Sequence, residues 1–280
     1  MSAAATNGKP PPQSVLRFED VCLAFDEIIA LDHVSFQQAA GETRVVLGSA
    51  GSGKTALLKT AIGLLKPDSG RVWLLGEEIT GRSEHDLFRL RSRVGVLFQE
   101  GGLFDSLTVG ENVAYPLENQ QVGKTLPPEE IERRVEDALR FVELEHTLDK
   151  SPDELSGGMR RRVGIARAAV TEPPLVLYDS PTAGLDPITA NTIVALIAKE
   201  RDLRDTANLM VTHRYQDGEI MANFRYNPDS GQLVPVAHAL GSNGLRTMFM
   251  VLEEGRLVFE GSQKELEASK DPYVARFVRH

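Results

Sequence analysis

Gly48-Ser49-Ala50-Gly51-Ser52-Gly53-Lys54-Thr55 is the stretch that decides the fold. It satisfies G-x-x-x-x-G-K-[ST] at every fixed position. The apolar run Thr43 to Leu47 precedes it, and Ala56, Leu57, Leu58, Ala61 and Ile62 follow at helical spacing until Gly63 stops them. Strand, glycine-rich turn and helix in that order make a phosphate-binding unit. The glycines let successive backbone N–H groups point inward, and the helix N-terminus adds positive potential. Lys54 then reaches the β and γ phosphates of a nucleotide, and Thr55 offers a hydroxyl to Mg2+. A merely flexible Gly/Ser turn rarely carries Lys and Thr at these offsets.

Outward from this unit, the chain alternates strand and helix. Short apolar runs at Leu16 to Phe25, Ala30 to Phe36, Arg71 to Leu75 and Val94 to Phe98 predict strands, with a charged helix around Glu84 to Arg93. The texture changes over residues 99–156. Strand signals are absent there, and Ile131, Val135, Ala138, Leu139 and Val142 mark an amphipathic helix after Pro127-Pro128, which predicts a helical insertion. Strands return at Leu175 to Tyr178 and Asn208 to Thr212, with a helix Ile188 to Arg201 between them. A hairpin follows around Glu253-Glu254-Gly255-Arg256, and Ser262 with Glu265 predicts a capping box on a final helix. Residues 1–14, small and Pro-rich, are expected to be a disordered tail, leaving 15–98 and 157–280 as the α/β core and 99–156 as a helical subdomain.

The chain has 280 residues, 31 Lys+Arg against 40 Asp+Glu, a net charge of -9 and a single Cys. One Cys forms no internal disulfide, which suits the cytosol. The longest apolar stretches, such as Met248 to Leu252, fall far short of the roughly 18–20 residues of a membrane-spanning helix. The acidic balance argues against broad binding to nucleic acid, whose affinity comes largely from phosphates meeting Lys and Arg. Phosphate recognition here must be local.

Two further stretches carry chemistry. Leu175-Val176-Leu177-Tyr178-Asp179 is a buried strand ending in a carboxylate, as a Mg2+-organising Asp requires. In Leu155-Ser156-Gly157-Gly158, Ser156 can cap the following helix while two glycines allow an anion close to its N-terminus. Two phosphate devices so far apart in sequence suggest that one serves a nucleotide held by another subunit.

Together these residues resemble the ATP-binding subunit of an ABC transporter, from Val15 to Val278. The glycine loop, Leu155 to Gly158, the Asp179 strand and Ala183-Gly184-Leu185-Asp186 fall in that family's order. The resemblance implies an α/β, P-loop (RecA-like) core with an antiparallel β subdomain and an α-helical insertion, with ATP and Mg2+ as cofactors. It places Phe25 against adenine, and Gln99 where a glutamine senses Mg2+ and the attacking water. His213 falls at the γ-phosphate, and Thr55 and Asp179 at the metal. It further implies a head-to-tail dimer in which the loop Gly48 to Thr55 of one copy faces Ser156, Gly157 and Gly158 of the other. Separate transmembrane permease subunits and a position on the inner face of the cell membrane follow from the same resemblance.

A narrower likeness lies in Leu97 to Val109 and Glu111 to Leu117, with Asp271-Pro272-Tyr273 to Phe277. These stretches are similar to the Mla and Mce-associated ATPases of phospholipid transport, which implies a lipid-binding Mce-type periplasmic partner. Leu103, Phe104 and Leu107 would form a groove for a coupling helix of a membrane partner, unless they only pack the helical insertion. Small-molecule importers of the amino-acid type share much of this stretch and remain the alternative.

The sequence departs from the family twice. Where a Glu polarises the attacking water, this chain has Ser180, a hydroxyl too weak to take its proton near neutral pH. This predicts slow hydrolysis with ATP binding intact, or a subunit that uses ATP to hold an assembly closed. Extra residues also intervene at Arg225 to Arg246, where Asn227-Pro228-Asp229-Ser230-Gly231 predicts a hairpin that extends a sheet edge or binds a partner.

Overall fold

A computed structural model describes residues 14–119, 126–236 and 247–278. Along the chain run β1 (Ser14–Phe25), β2 (Ile28–Ala39), β3 (Thr43–Leu47), α1 (Lys54–Ala61), β4 (Ser69–Leu74), β5 (Glu77–Glu78), α2 (Glu84–Arg91) and β6 (Val94–Leu97). Then come α3 (Val109–Glu118), α4 (Pro128–Phe141), α5 (Gly157–Ala169), β7 (Leu175–Asp179), α6 (Pro187–Arg204), β8 (Ala207–Thr212) and α7 (Tyr215–Asn223). The last elements are β9 (Phe224–Asn227), β10 (Gln232–Pro235), β11 (Thr247–Glu253), β12 (Arg256–Gly261), α8 (Gln263–Glu267) and α9 (Pro272–Ala275).

The main sheet has six strands in the order β12-β11-β3-β8-β7-β6, parallel from β11 to β6 with β12 antiparallel at its edge. Every residue of β3, β7 and β8 is buried, as strands covered on both faces require. Alternation decides which face each side chain joins. Leu175 and Leu177 enter the core shared with the second sheet and α1, whereas Val176 and Tyr178 enter the core under the helices α3 to α6. That second sheet, β2-β1-β4-β5, is antiparallel and closes over α1.

Among the described residues no strand lies between β6 and β7. α3, which sequence periodicity did not single out, is fixed by a capping box between Thr108 and Glu111. That device is worth about 1 kcal/mol. The predicted box at Ser262 and Glu265 is also present.

Two expectations need correction. Ser14, read as tail, already belongs to β1, because its hydroxyl bonds the carbonyls of Leu16 and Gln38. Residues 1–13 lie outside the described residues. The hairpin at 225–246 extends neither large sheet: β9 and β10 form their own two-stranded sheet. It is anchored on α6 instead. The fully buried Arg201 donates to Met221 O and Phe224 O, and Asp202 accepts from Tyr226 N at 2.7 Å. Residues 237–246 of that segment are outside the described residues.

Candidate functional site

Parallel strands of equal register end at one edge, so residues distant in sequence collect there. Leu47 pairs with Thr212, Val211 with Asp179, and Tyr178 with Leu97. The loop Gly48 to Gly53, Ser180, His213 and Gln99 therefore all follow the carboxyl ends of adjacent strands, the place where open α/β sheets bind ligands.

The glycine loop is held tightly against its surroundings. Gly53 adopts φ 102 as the N-cap of α1, and a Cβ there would sit 2.2 Å from the carbonyl oxygen of Ala30. No other residue fits that position. A Cβ on Gly48 would lie 2.3 Å from Ser52 Oγ and 2.8 Å from Leu252 O. Ser49, Ala50 and Gly51 face solvent, while Ser52 is buried. The Lys54 ammonium curls over the loop, donating to Gly48 O at 2.8 Å and Ser49 O at 2.7 Å. Burial lowers its pKa, opposed by the Asp179 carboxylate. A cation so desolvated gains from an anionic partner. The C-terminal helix reaches the same loop: Tyr273 hydroxyl donates to Leu252 O at 3.0 Å and lies 3.1 Å from Ser49 Oγ.

Thr55 Oγ1 donates to Asp179 Oδ2 at 3.1 Å. A hydroxyl and a carboxylate meeting at the head of α1 are the hard oxygen donors that Mg2+ takes beside a phosphate, so these residues fit that ion. The other carboxylate oxygen is occupied by the next residue along the chain: Ser180 Oγ donates to Asp179 Oδ1 at 3.2 Å. Ser180 also sits at φ 50, a left-handed conformation costing an L-residue roughly 1–2 kcal/mol. Its N–H to Val211 O at 2.9 Å fixes that turn against β8.

His213 is exposed one residue beyond β8, and Gln99 is exposed at the head of a single 3-10 turn, Gln99–Gly101. Phe25 ends β1 with 47% of its surface exposed. Ser156 caps α5, accepting from Met159 N at 3.3 Å, and itself faces solvent with Gly157 and Gly158 behind it.

Sequence reasoning missed the groups that hold these loops. Asp217 is buried, and its Oδ2 accepts from Thr182 Oγ1 at 2.6 Å and from Thr212 Oγ1 at 2.7 Å. Thr212 Oγ1 in turn accepts from Arg214 N, so one carboxylate holds both flanks of His213 and the turn after Ser180. Burial pushes the Asp217 pKa up. Arg167, also buried, donates to Gly101 O at 3.1 Å and Gly102 O at 2.8 Å, pinning the segment after Gln99. Arg161 of α5 bonds the carbonyl of Ala183, joining the Ser156 helix to the segment Ala183 to Asp186.

Of the predicted groove residues, Phe104 is exposed and packs on Tyr115 at 4.8 Å, whereas Leu103 is partly buried against the core under the helices. Tyr115 borders a surface groove of about 720 Å³ that also holds Phe88, Pro116 and Arg167.

A phosphate loop at the sheet's carboxyl edge, a carboxylate against its Thr and a second glycine-capped helix define a nucleotide-binding cassette. The chain belongs to the ABC transporter family, whose model matches residues 31–183. It is 41% identical over 187 residues to a methionine import ATP-binding protein, MetN, of Carboxydothermus hydrogenoformans, a match covering 67% of this chain and 54% of that one. The chain spans about half the length of the first curated relatives it matches. It is 28% identical over 267 residues to the intermembrane phospholipid transport ATP-binding protein MlaF of Haemophilus influenzae, covering 95% of this chain and 91% of that one. A dimeric, post-hydrolysis structure of an ATP-binding cassette bound to ADP and Pi superimposes with TM-score 0.73 at 27% identity, covering 88% of this chain and 98% of the other. No helix among the described residues is long and apolar enough to cross a membrane.

Proposed function

We propose that this chain couples ATP binding, and slow hydrolysis, to lipid movement by separate membrane subunits. The match to the phospholipid-transport protein over nearly the whole of both chains carries this reading. Import of a small molecule is the second reading, favoured by the higher identity to MetN.

In this proposal the N–H groups of Gly51 to Thr55 and the Lys54 ammonium hold the β and γ phosphates, and Phe25 stacks on adenine. Thr55, Asp179 and Gln99 hold Mg2+, which when bound neutralises developing phosphate charge. His213 contacts the γ-phosphate. Ser156, Gly157 and Gly158 present the N-terminus of α5 to the nucleotide of a second copy, so ATP closes a head-to-tail pair. The Ser180 hydroxyl orients water but is a poor base, so the closed state outlasts that of a subunit with Glu at this place.

The substrate is tested by purifying the chain with its membrane subunits in mild detergent. Phospholipid retained by the assembly, together with ATPase activity stimulated by phospholipid vesicles, supports the lipid reading. Stimulation by a soluble amino acid with its binding protein, and none by vesicles, replaces it with the importer.

A further inference from the structure

Where β1 and β2 pair, Val21 faces Val34 and Leu23 faces Leu31, so Cys22 alone opposes both Asp32 and His33. This is a β-bulge, a device that re-aims side chains. In a regular strand Asp32 and His33 would point to opposite faces. His33 instead adopts φ 52, and one ligand atom each from Cys22, Asp32 and His33 lie within 4.8 Å of one another. Among the described residues no other three Cys, His, Asp or Glu side chains meet so closely.

We propose that Cys22 Sγ, Asp32 Oδ1 and His33 Nε2 bind a Zn2+ ion. His33 Nε2 and Asp32 Oδ1 are 3.7 Å apart. Ligands about 2.0–2.1 Å from a tetrahedral ion lie about 3.3 Å apart, so this pair needs only a small side-chain rotation. The widest pair closes by about 1 Å on the same reckoning. Two atoms outside the ligand set, His33 Nδ1 and Asp32 Oδ2, are already engaged, while Cys22 Sγ accepts one backbone N–H. Asp20 Oδ1 holds His33 Nδ1 at 2.7 Å, the carboxylate–histidine arrangement that fixes which nitrogen faces a metal. Arg256 Nε takes Asp32 Oδ2, and His33 N donates to Cys22 Sγ at 3.3 Å. Thiolate with imidazole is the donor pair that borderline-soft Zn2+ prefers, and carboxylate completes a three-ligand site with one position open to water. His33 is largely exposed, so the ion exchanges with solvent. The site lies three residues before Phe25. It also connects to the phosphate loop, through Asp32 N to Gly255 O and Gly255 N to Ser52 O.

The test uses the full chain without a polyhistidine tag, reduced and stripped of metal. Calorimetric titration with Zn2+ gives one ion per chain, and Co2+ substitution gives the near-ultraviolet thiolate-to-metal absorption band. Cys22→Ser abolishes the band, and Cys22→Ser and His33→Gln each lower Zn2+ affinity at least tenfold, about the size of losses for perturbed metal sites. Nucleotide binding by each variant confirms its fold. The proposal is overturned by the absence of stoichiometric uptake in the parent chain, or by unchanged affinity in both variants.

Discussion

The two sides of the nucleotide site are built differently. The cradle from Gly48 to Thr55 is continuous in sequence and supported by apolar packing, with Leu57, Leu58 and Ala61 of α1 fully inside the core. The facing edge, Asp179 to Thr182 with Thr212 to Asp217, comes from the ends of two strands and is tied by a single buried carboxylate. Elsewhere in the core, Tyr178 hydroxyl and Glu200 Oε2 are buried with no hydrogen-bond partner among the described residues. The cradle keeps every fixed position of the phosphate-loop pattern. Where the proposed reading expects a base, the edge carries Ser180, whose hydroxyl turns back onto Asp179. In the proposed reading, affinity and turnover are set by separate pieces of chain, and one can change without the other.

The strongest way to break this comparison is Ser180→Glu. Restoring a positioned carboxylate is expected to raise kcat about 100-fold or more, with KM for ATP little changed, in a steady-state phosphate-release assay. An unchanged or lower rate shows that the edge is not limiting.

Lys54→Ala acts on the other side. Loss of a charge-assisted phosphate contact is expected to weaken ATP about 100-fold, or about 3 kcal/mol, in a fluorescent-nucleotide titration. The ammonium is desolvated in the free chain, so the melting temperature without nucleotide stays the same or rises.

The buried Glu200 of α6 predicts a pH effect. Burial raises the Glu200 carboxyl to about 7 from 4.5, with the Thr206 hydroxyl and Arg204 opposing. A raised carboxyl contributes stability that is full below the unfolded pKa and lost as pH climbs through the folded one. Glu200→Gln, which stays neutral, should therefore gain on the parent by about 2–3 kcal/mol between about pH 5 and about pH 8.5 in urea unfolding. A difference constant with pH would falsify a protonated Glu200 in the fold.

The smallest effect sharpens the reading of the turn. Ser180→Gly removes the penalty of φ 50, and should stabilise the chain by about 1 kcal/mol, less the lost bond to Asp179. A destabilisation of that size would mean that the hydroxyl bond outweighs the strain.

Local features were legible because their physics is local. The glycine loop, the Asp179 strand, the Ser156 cap and the Ser262 box each lie within eight consecutive residues, and each is found where the sequence places it. Less was legible wherever a bond spans the fold. Arg167 reaches Gly101 across 66 positions of sequence, and nothing in its charged helix distinguishes it in sequence from Arg160, Arg161 and Arg162. The extra hairpin was readable from its Asn227 turn, where the side chain accepts from Asp229 N, but not its attachment to α6.

By itself, then, the sequence determined the phosphate-loop pattern Gly48 to Thr55 and the serine that follows Asp179, since both depend on residue type at fixed spacing. Tertiary structure alone decided how Ser180 behaves, by turning its hydroxyl to Asp179, and how His213 is held, by burying Asp217 between two threonines. It also brought Cys22 to Asp32 and His33. These depend on strand register, which sets the ends of β7 and β8 level and inserts one bulge into β1 and β2. Register is fixed by the packing of whole sheets rather than by any short run of residues.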